Sequence, residues 1–150
     1  MRILPFVALL LFTSAAFAAP PRPAVEHIGA GVMDGKPLPF SEAVRVGDIL
    51  YLSGQLGRTS DGKMPDGIEA QTRQTLDNIG ATLKKAGATH ADLFHCTAFL
   101  ADMKLWPAFN AVYITYFKPG QMPARSAVGV NGLALGALIE LECQAYVGRR

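Results

Sequence analysis

In residues 137–147, small or aliphatic side chains alternate with side chains that are mostly polar, and this alternation limits the folds that the chain can adopt. A two-residue period predicts a β-strand with one buried and one exposed face, so the fold must contain a sheet that is covered on one side. The face expected to be buried carries Ala137, Ile139, Leu141, Cys143, Ala145 and Val147, and the opposite face carries Leu138, Glu140, Glu142, Gln144 and Tyr146.

The exposed face of this strand carries two carboxylates, Glu140 and Glu142, which permit two interpretations. Periodicity alone favours an ordinary strand face in contact with solvent. The functional interpretation places a carboxylate near Arg125, on the strand predicted to be its neighbour. A guanidinium beside a carboxylate could bind a carboxylate substrate and orient a water molecule.

The rest of the chain predicts a single α+β domain with a mixed sheet. Gly47-Asp48 separates two β-rich segments as a tight hairpin turn, and apolar residues at steps of three and four predict a helix that stops at Gly87. Helices on one face of such a sheet leave the other face in need of a cover, which oligomerisation would provide. The predicted elements are strands at 42–46 and 49–53, a helix over 72–86, a strand at 93–100, a helix at 106–117 and strands at 125–130 and 137–147.

Residues 1–18 have the pattern of an export signal. Arg2 supplies a positive start, residues 3–12 are apolar, and small residues occupy the two positions around Phe17 that signal peptidase reads. A membrane anchor is the alternative, but the apolar run is shorter than the roughly 20 residues that a span requires. We therefore expect cleavage near Ala18, a periplasmic or secreted location, and no membrane anchor after cleavage. Residues 19–38 are rich in Pro and Gly and predict a linker with one short strand, ahead of a domain at 39–150.

Composition narrows the classes of function. The chain is 50% hydrophobic and 17% charged with a net charge of +2, which excludes a disordered chain and leaves no basic stripe for nucleic acid. His27, His90 and His95 lack metal-ligand spacing, and common phosphate-binding, dinucleotide-binding and hydrolase motifs do not occur. Cys96 and Cys143 can be either free core residues or a disulfide, which an oxidising compartment would permit.

Six segments, in this order along the chain, carry a more specific signal. They are PFSEAVRVGD at 39–48, LYLSGQ at 50–55, IEAQT at 68–72, LDNI at 76–79, PARSAV at 123–128 and IELE at 139–142. Together they resemble the RidA/YjgF family, also called endoribonuclease L-PSP, over nearly the whole predicted domain. The Ser-Gly-Gln and Pro-Ala-Arg-Ser motifs in this order are specific to that family.

The resemblance implies a chorismate-mutase-like α+β fold with two helices on one face of a mixed sheet. It also implies a homotrimer whose sites lie in clefts between subunits. Typical members hydrolyse reactive enamines and imines, such as 2-aminoacrylate and 2-iminopropanoate, to 2-keto acids and ammonia. The implied ligand is a small carboxylate or imino acid, and no metal or organic cofactor is needed.

Two residues receive catalytic roles from the resemblance. Arg125 matches the arginine that holds the substrate carboxylate as a bidentate pair, a geometry that only the planar guanidinium offers. Glu140 matches the glutamate that positions or activates the attacking water. The structural alternative for Arg125 is an ordinary salt bridge.

Other matched positions would surround the pocket. Ser53-Gly54 and Asn110 match polar positions, with a strand end and a solvent-facing helix residue as their structural alternatives. Ala127 occupies a wall position where a cysteine is common. Phe40 stands where active members often carry a tyrosine, so a pocket hydroxyl is missing.

These departures keep three classes of function open. The first is an imine or enamine deaminase, and the second is a non-catalytic binding module for small carboxylates, which Phe40 favours because it leaves the anion grip of Arg125 intact. The third is the ribonuclease activity in the family name, which the near-neutral charge does not favour. An exported deaminase would also need a source of imines outside the cytoplasm.

Overall fold

The computed structural model describes residues 22–29, 31–33 and 35–148. The predicted export signal at 1–18 lies outside these residues. No helix within the described ranges is long and apolar enough to cross a membrane. The elements, in chain order, are strands β1 Val25–Ile28, β2 Val32–Met33, β3 Lys36–Pro37, β4 Ala43–Val46, β5 Ile49–Leu52 and β6 Gln55–Leu56, helix α1 Ile68–Lys85, strand β7 Leu93–Leu100, helix α2 Trp106–Tyr113, and strands β8 Ala124–Gly129 and β9 Ile139–Tyr146.

One mixed sheet organises the molecule. Its strands lie in the order β1-β4-β5-β9-β7-β8, and β6 pairs with β9 beyond the end of β5. All pairs in this sheet are antiparallel except β7 and β8, which run parallel. The β2 and β3 strands form a separate two-stranded hairpin.

Both helices pack on one face of this sheet, and the predicted alternation of β9 is confirmed. Ile139, Leu141, Cys143 and Ala145 are at most 1% exposed, whereas the residues between them are partly or fully exposed. The buried faces of the sheet and helices form one core. Over the other face of the sheet the described part of the chain places no helix, and we call it the open face.

Most local predictions are confirmed. Gly47 adopts φ 59° in the β4–β5 turn, a conformation that suits glycine, and α1 ends two residues before Gly87. Pro107 lies in the first turn of α2, as expected, but the α-helix ends at Tyr113 and continues only as a short 3₁₀ turn, Ile114–Tyr116. The predicted short strand also exists, and as β1 it pairs with β4 at one edge of the main sheet.

One predicted neighbourhood is wrong. The Arg125 strand, β8, does not lie beside the Glu140 strand, β9, because β7 lies between them. The reason is the β7-α2-β8 connection: a helical crossover places the next strand parallel to the one before it, so β8 takes the outer side of β7. β9 pairs with the inner side of β7.

Cys96 and Cys143 form a disulfide between β7 and β9. They oppose each other directly in the antiparallel register, with a Cα–Cα distance of 4.1 Å, and both are at most 1% exposed. The sequence left open whether these cysteines are free or form a disulfide, and in the structure they form a disulfide.

Candidate active site

A groove of about 430 Å³ lies on the open face of the sheet, at the junction of β5 and β6 with β9. It brings together four residues that the sequence analysis selected: Phe40, Ser53, Gly54 and Glu140. The complete lining is Phe40, Val44, Tyr51, Leu52, Ser53, Gly54, Glu140 and Glu142.

Gly54 makes room for the Glu140 carboxylate. Ser53 and Gly54 form the interruption between β5 and β6, and β6 then pairs with β9 at Glu140 itself. A Cβ at position 54 would collide with Oε1 of Glu140 and lie 2.9 Å from its carboxyl carbon. A side chain at this position between the two strands would therefore displace the carboxylate, so glycine allows the observed place of the Glu140 carboxylate.

Ser53 ties the Phe40 segment to the groove. Its Oγ donates to the Ser41 carbonyl at 2.7 Å, and its backbone N–H donates to the Glu42 carbonyl at 3.0 Å. The Ser53 hydroxyl, at a predicted polar position of the pocket, thus makes a local structural bond. Phe40 is 50% exposed and contributes an apolar ring to the groove wall.

The groove raises the basicity of Glu140. Burial raises the pKa of this carboxyl, and the charge of Glu142, two residues along the same strand face, raises it further. Both effects disfavour the charged form. A carboxylate with a raised pKa accepts a proton from water more readily than an ordinary glutamate does.

A second cluster surrounds Arg125, on β8 at the edge of the sheet. Its Nη2 donates to Oδ1 of Asn110 at 2.9 Å, and Asn110 lies on α2. The Arg125 Cζ lies 4.3 Å from the ring centroid of Tyr113 and 5.2 Å from that of Phe109. The solvent-facing alternative for Asn110 is thus not the observed arrangement, because its amide orients the guanidinium.

The guanidinium of Arg125 has no ion-pair partner among the described residues. It is half-buried, and its hydrogen bond of good geometry there is to a neutral amide. The salt-bridge alternative for Arg125 is therefore not observed within these residues. Because a guanidinium presents five donors in one plane, it can still receive a carboxylate through two parallel bonds.

The two clusters lie on opposite faces of the sheet. Arg125 is in register with Cys96 and Cys143, on the face that the helices cover, and Ala127 follows on the same face, packed against the core. Glu140 is in register with Phe99 on the open face. One chain therefore cannot bring both charged groups to one small ligand.

Sequence reasoning missed the two aromatic residues under Arg125. Phe109 and Tyr113 are four residues apart on α2, at most 2% exposed, with ring centroids 5.4 Å apart. Such a spacing is typical of an ordinary core stripe, so nothing in the sequence distinguished them from packing residues. Within the described ranges, no group of three or more His, Cys, Asp or Glu side chains is placed to hold a metal ion.

The fold and these clusters define a small α+β protein with a half-buried guanidinium, unpaired with any acid among the described residues, on one face of the sheet and a carboxylate of raised pKa on the other. The family model described as Endoribonuclease L-PSP matches residues 35–147. The chain belongs to this family, which is also called the RidA/YjgF family.

Comparisons with individual proteins agree. A RutC family protein of Sulfurisphaera tokodaii is 44% identical over 106 residues, which are 69% of this chain and 83% of that protein. A 2-iminobutanoate/2-iminopropanoate deaminase of Mus musculus is 39% identical over 112 residues, covering 73% of this chain and 82% of that protein. The crystal structure of YyfA from Yersinia pestis, a protein of unknown function of the conserved Rid protein family, has a TM-score of 0.75 and 37% identity, and covers 83% of this chain and all of that one (100%).

Proposed function

We propose that this protein hydrolyses reactive 2-imino acids and their enamine tautomers, of the 2-iminopropanoate type, to 2-keto acids and ammonia. The observation that carries the proposal is the half-buried Arg125 guanidinium, which Asn110 orients and which has no carboxylate partner among the described residues. Such a group is suited to the carboxylate of an imino acid. Relatives named 2-iminobutanoate/2-iminopropanoate deaminase support this choice of substrate class.

In this proposal Arg125 binds the substrate carboxylate, and Glu140 handles protons. Water forms a bond to the carbon of the protonated imine, the C=N π electrons move to nitrogen, and a proton of the added water passes to Glu140, which leaves a neutral carbinolamine. Glu140 then returns this proton to the amino group, the C–N bond breaks as ammonia leaves, and the hydroxyl becomes the carbonyl as its proton passes to the Glu140 carboxylate and on to solvent. The raised pKa of Glu140 suits a group that must accept and return a proton.

The site is proposed to form between subunits of a homotrimer. Arg125 and Glu140 lie on opposite faces of one sheet. One substrate would therefore contact Arg125 of one subunit and Glu140 of a neighbouring subunit. The open face also carries exposed apolar side chains, among them Tyr51 at 47% and Val128 at 41% exposure, which a second subunit would cover. The open-face groove would then supply one half of the site and the β8 edge the other.

Export is proposed to precede assembly. The apolar run at 3–12 followed by small residues fits a cleaved signal, and the buried disulfide fits the oxidising compartment that export would reach. A reducing cytosol would not maintain such a bond. Mass spectrometry of the secreted or periplasmic protein tests this, with a new N-terminus at Ala19 expected.

A carboxylate-binding module without turnover is the second candidate. The specific observation is Phe40, whose ring lines the groove without offering a hydroxyl to a water or an imine nitrogen. Arg125 and Asn110 would still bind a small carboxylate.

One assay separates these candidates. We would generate 2-iminopropanoate in situ from alanine with an amino-acid oxidase and trap the remaining imine with semicarbazide. The amount of trapped imine, measured with and without protein, reports how fast the protein consumes the imine. Acceleration that R125A abolishes and R73A preserves supports the deaminase, since Arg73 is an exposed arginine on α1. No acceleration, together with saturable protection by 2-ketobutyrate against thermal unfolding, supports the binding module.

A further inference from the structure

The environment of Arg125 contains two aromatic rings that the proposed chemistry leaves unexplained, and that of Tyr113 makes the shorter contact. This ring is 2% exposed and is the nearer of two rings against the guanidinium, at 4.3 Å from Cζ. A cation within about 6 Å of a ring centroid is attracted by the ring's quadrupole, and the attraction is strongest where water is excluded.

The same helix face supplies both contacts that define the guanidinium. Asn110 and Tyr113 are three residues apart on α2, so their side chains project from neighbouring positions of one turn. The ring of Tyr113 restricts where the guanidinium plane can lie, and the hydrogen bond to Asn110 restricts its rotation within that plane. The remaining donors of Arg125 are then directed to a fixed position.

The hydroxyl of Tyr113 does not explain why this residue is needed. It is buried, and no residue in the described ranges forms a well-aligned hydrogen bond with it. Burial raises the pKa of Tyr113 to about 12, and the charge of Arg125 together with a poorly aligned hydrogen bond from Arg125 to the hydroxyl opposes this shift, so the phenol stays neutral at physiological pH. A buried hydroxyl without a partner is destabilising. The ring, with its centroid 4.3 Å from Cζ of Arg125, is therefore the contact of good geometry between the two side chains, and Y113F tests it apart from the hydroxyl.

We propose that Tyr113 is a positioning residue that fixes the Arg125 guanidinium for bidentate binding of the substrate carboxylate, acting through its ring. This inference rests on the proposed function. It assigns to α2, by way of Tyr113 and Asn110, control of how tightly the 2-imino acid is bound, while the chemical step depends on Glu140.

The test compares Y113L, which removes the ring, with Y113F, which keeps it. With 2-iminopropanoate generated in situ, Y113L is expected to raise KM about tenfold and to change kcat much less, because ground-state and transition-state binding of the carboxylate are weakened equally. The affinity for 2-ketobutyrate should fall by the same factor. Y113F should restore wild-type KM and affinity, with no loss of Tm.

Y116L is the matched control, since it makes the same substitution three residues on. Tyr116 packs on His90 and donates to Asp77 at 2.7 Å, and it is not one of the rings against Arg125. An equal rise in KM for Y116L, or a Y113F variant as impaired as Y113L, would overturn the proposal. Should Y113L fail to fold, Y113M replaces it, because methionine fills irregular gaps in a core.

A ligand-free measurement separates this inference from the proposed function. The Nε–H resonance of Arg125, assigned by its loss in R125A, should be shifted upfield by the rings in the wild type and Y113F and should move towards its random-coil position in Y113L. Wild-type protein without imine turnover refutes the proposed function alone. Normal turnover with an unshifted resonance, or with equal KM in all Tyr113 variants, refutes the role of Tyr113 alone.

Discussion

Two inactive variants, R125A and E140Q, are expected to restore activity when their subunits are mixed. The reason is the register of the sheet: Arg125 aligns with Cys96 on the helix-covered face, whereas Glu140 aligns with Phe99 on the open face. A single chain therefore cannot supply both groups to one substrate. Each site needs an intact Arg125 from one subunit and an intact Glu140 from its neighbour.

The fraction of activity recovered equals the fraction of sites in which Arg125 and Glu140 are both intact. If the two variants are present in equal amounts and mix at random, each required residue is intact with a probability of one half. About one quarter of the sites then carry both residues, whatever the number of subunits in the ring. If both groups belonged to one chain, no site would be intact in any mixture of R125A with E140Q.

A second mixture gives the matched control. Wild-type subunits mixed with the double variant R125A/E140Q retain about one quarter of the sites if they form between chains, but about one half if they form within a chain. Mixed oligomers would be obtained by co-expression with two different affinity tags, and the preassembled variants combined without exchange should stay inactive. No recovery in the first mixture and half activity in the second would refute the shared site.

Three further outcomes are expected. Burial and the charge of Glu142 raise the pKa of Glu140, so kcat/KM should rise with pH along a limb that lies above the usual glutamate pKa of 4.5. E142Q should move that limb to lower pH, and an unmoved limb would contradict the contribution of Glu142. Replacing Cys96 and Cys143 with alanine should lower the free energy of unfolding by about 4 kcal/mol in denaturant titrations, from closure of a loop spanning 47 positions, and a loss below about 1 kcal/mol would contradict the constraint. G54A should displace the Glu140 carboxylate and lower kcat at least about tenfold with native circular dichroism, whereas unchanged kcat would show that the carboxylate does not act from this position.

Side-chain periodicity was sufficient to predict the longer strands and both helices of this fold, but not the two-residue strands β2, β3 and β6. The alternation of β9 and the apolar steps of α1 depend only on which residues share a face, and that property is set by 2.0 and 3.6 residues per repeat. The hairpin followed from one glycine at a turn that favours positive φ. These are local properties, so they can be derived from neighbouring residues alone.

Strand order is not a local property, and here the prediction failed. Arg125 and Glu140 each lie on a correctly predicted strand, yet β7 separates those strands and the side chains face opposite ways. The strand-helix-strand pattern from β7 to β8 was visible in the sequence and indicates a parallel neighbour. Applied to residues 93–130, that rule would have placed Arg125 on a strand parallel to β7, whereas the outer position of this strand required the structure.

The aromatic support of Arg125 was hidden for a different reason. Phe109 and Tyr113 serve the core and the guanidinium at once, and burial removes the usual distinction between a packing residue and a functional one. Their role depends on the distance between α2 and β8, which no periodicity encodes. Asn110 was found only because its position matched the family, whereas its bond to Arg125 required the three-dimensional structure.

In the proposed oligomer, assembly and chemistry would be coupled, because they would use the same surfaces. Tyr51, Val128 and Tyr146 are 47%, 41% and 48% exposed on the face that also carries Glu140. A neighbouring subunit that covers these side chains can place its own β8 edge, with Arg125, over the Glu140 groove. Dissociation would expose this apolar face and separate the two charged groups in one step. Specific activity should therefore fall on dilution along the same curve as the fraction of assembled protein.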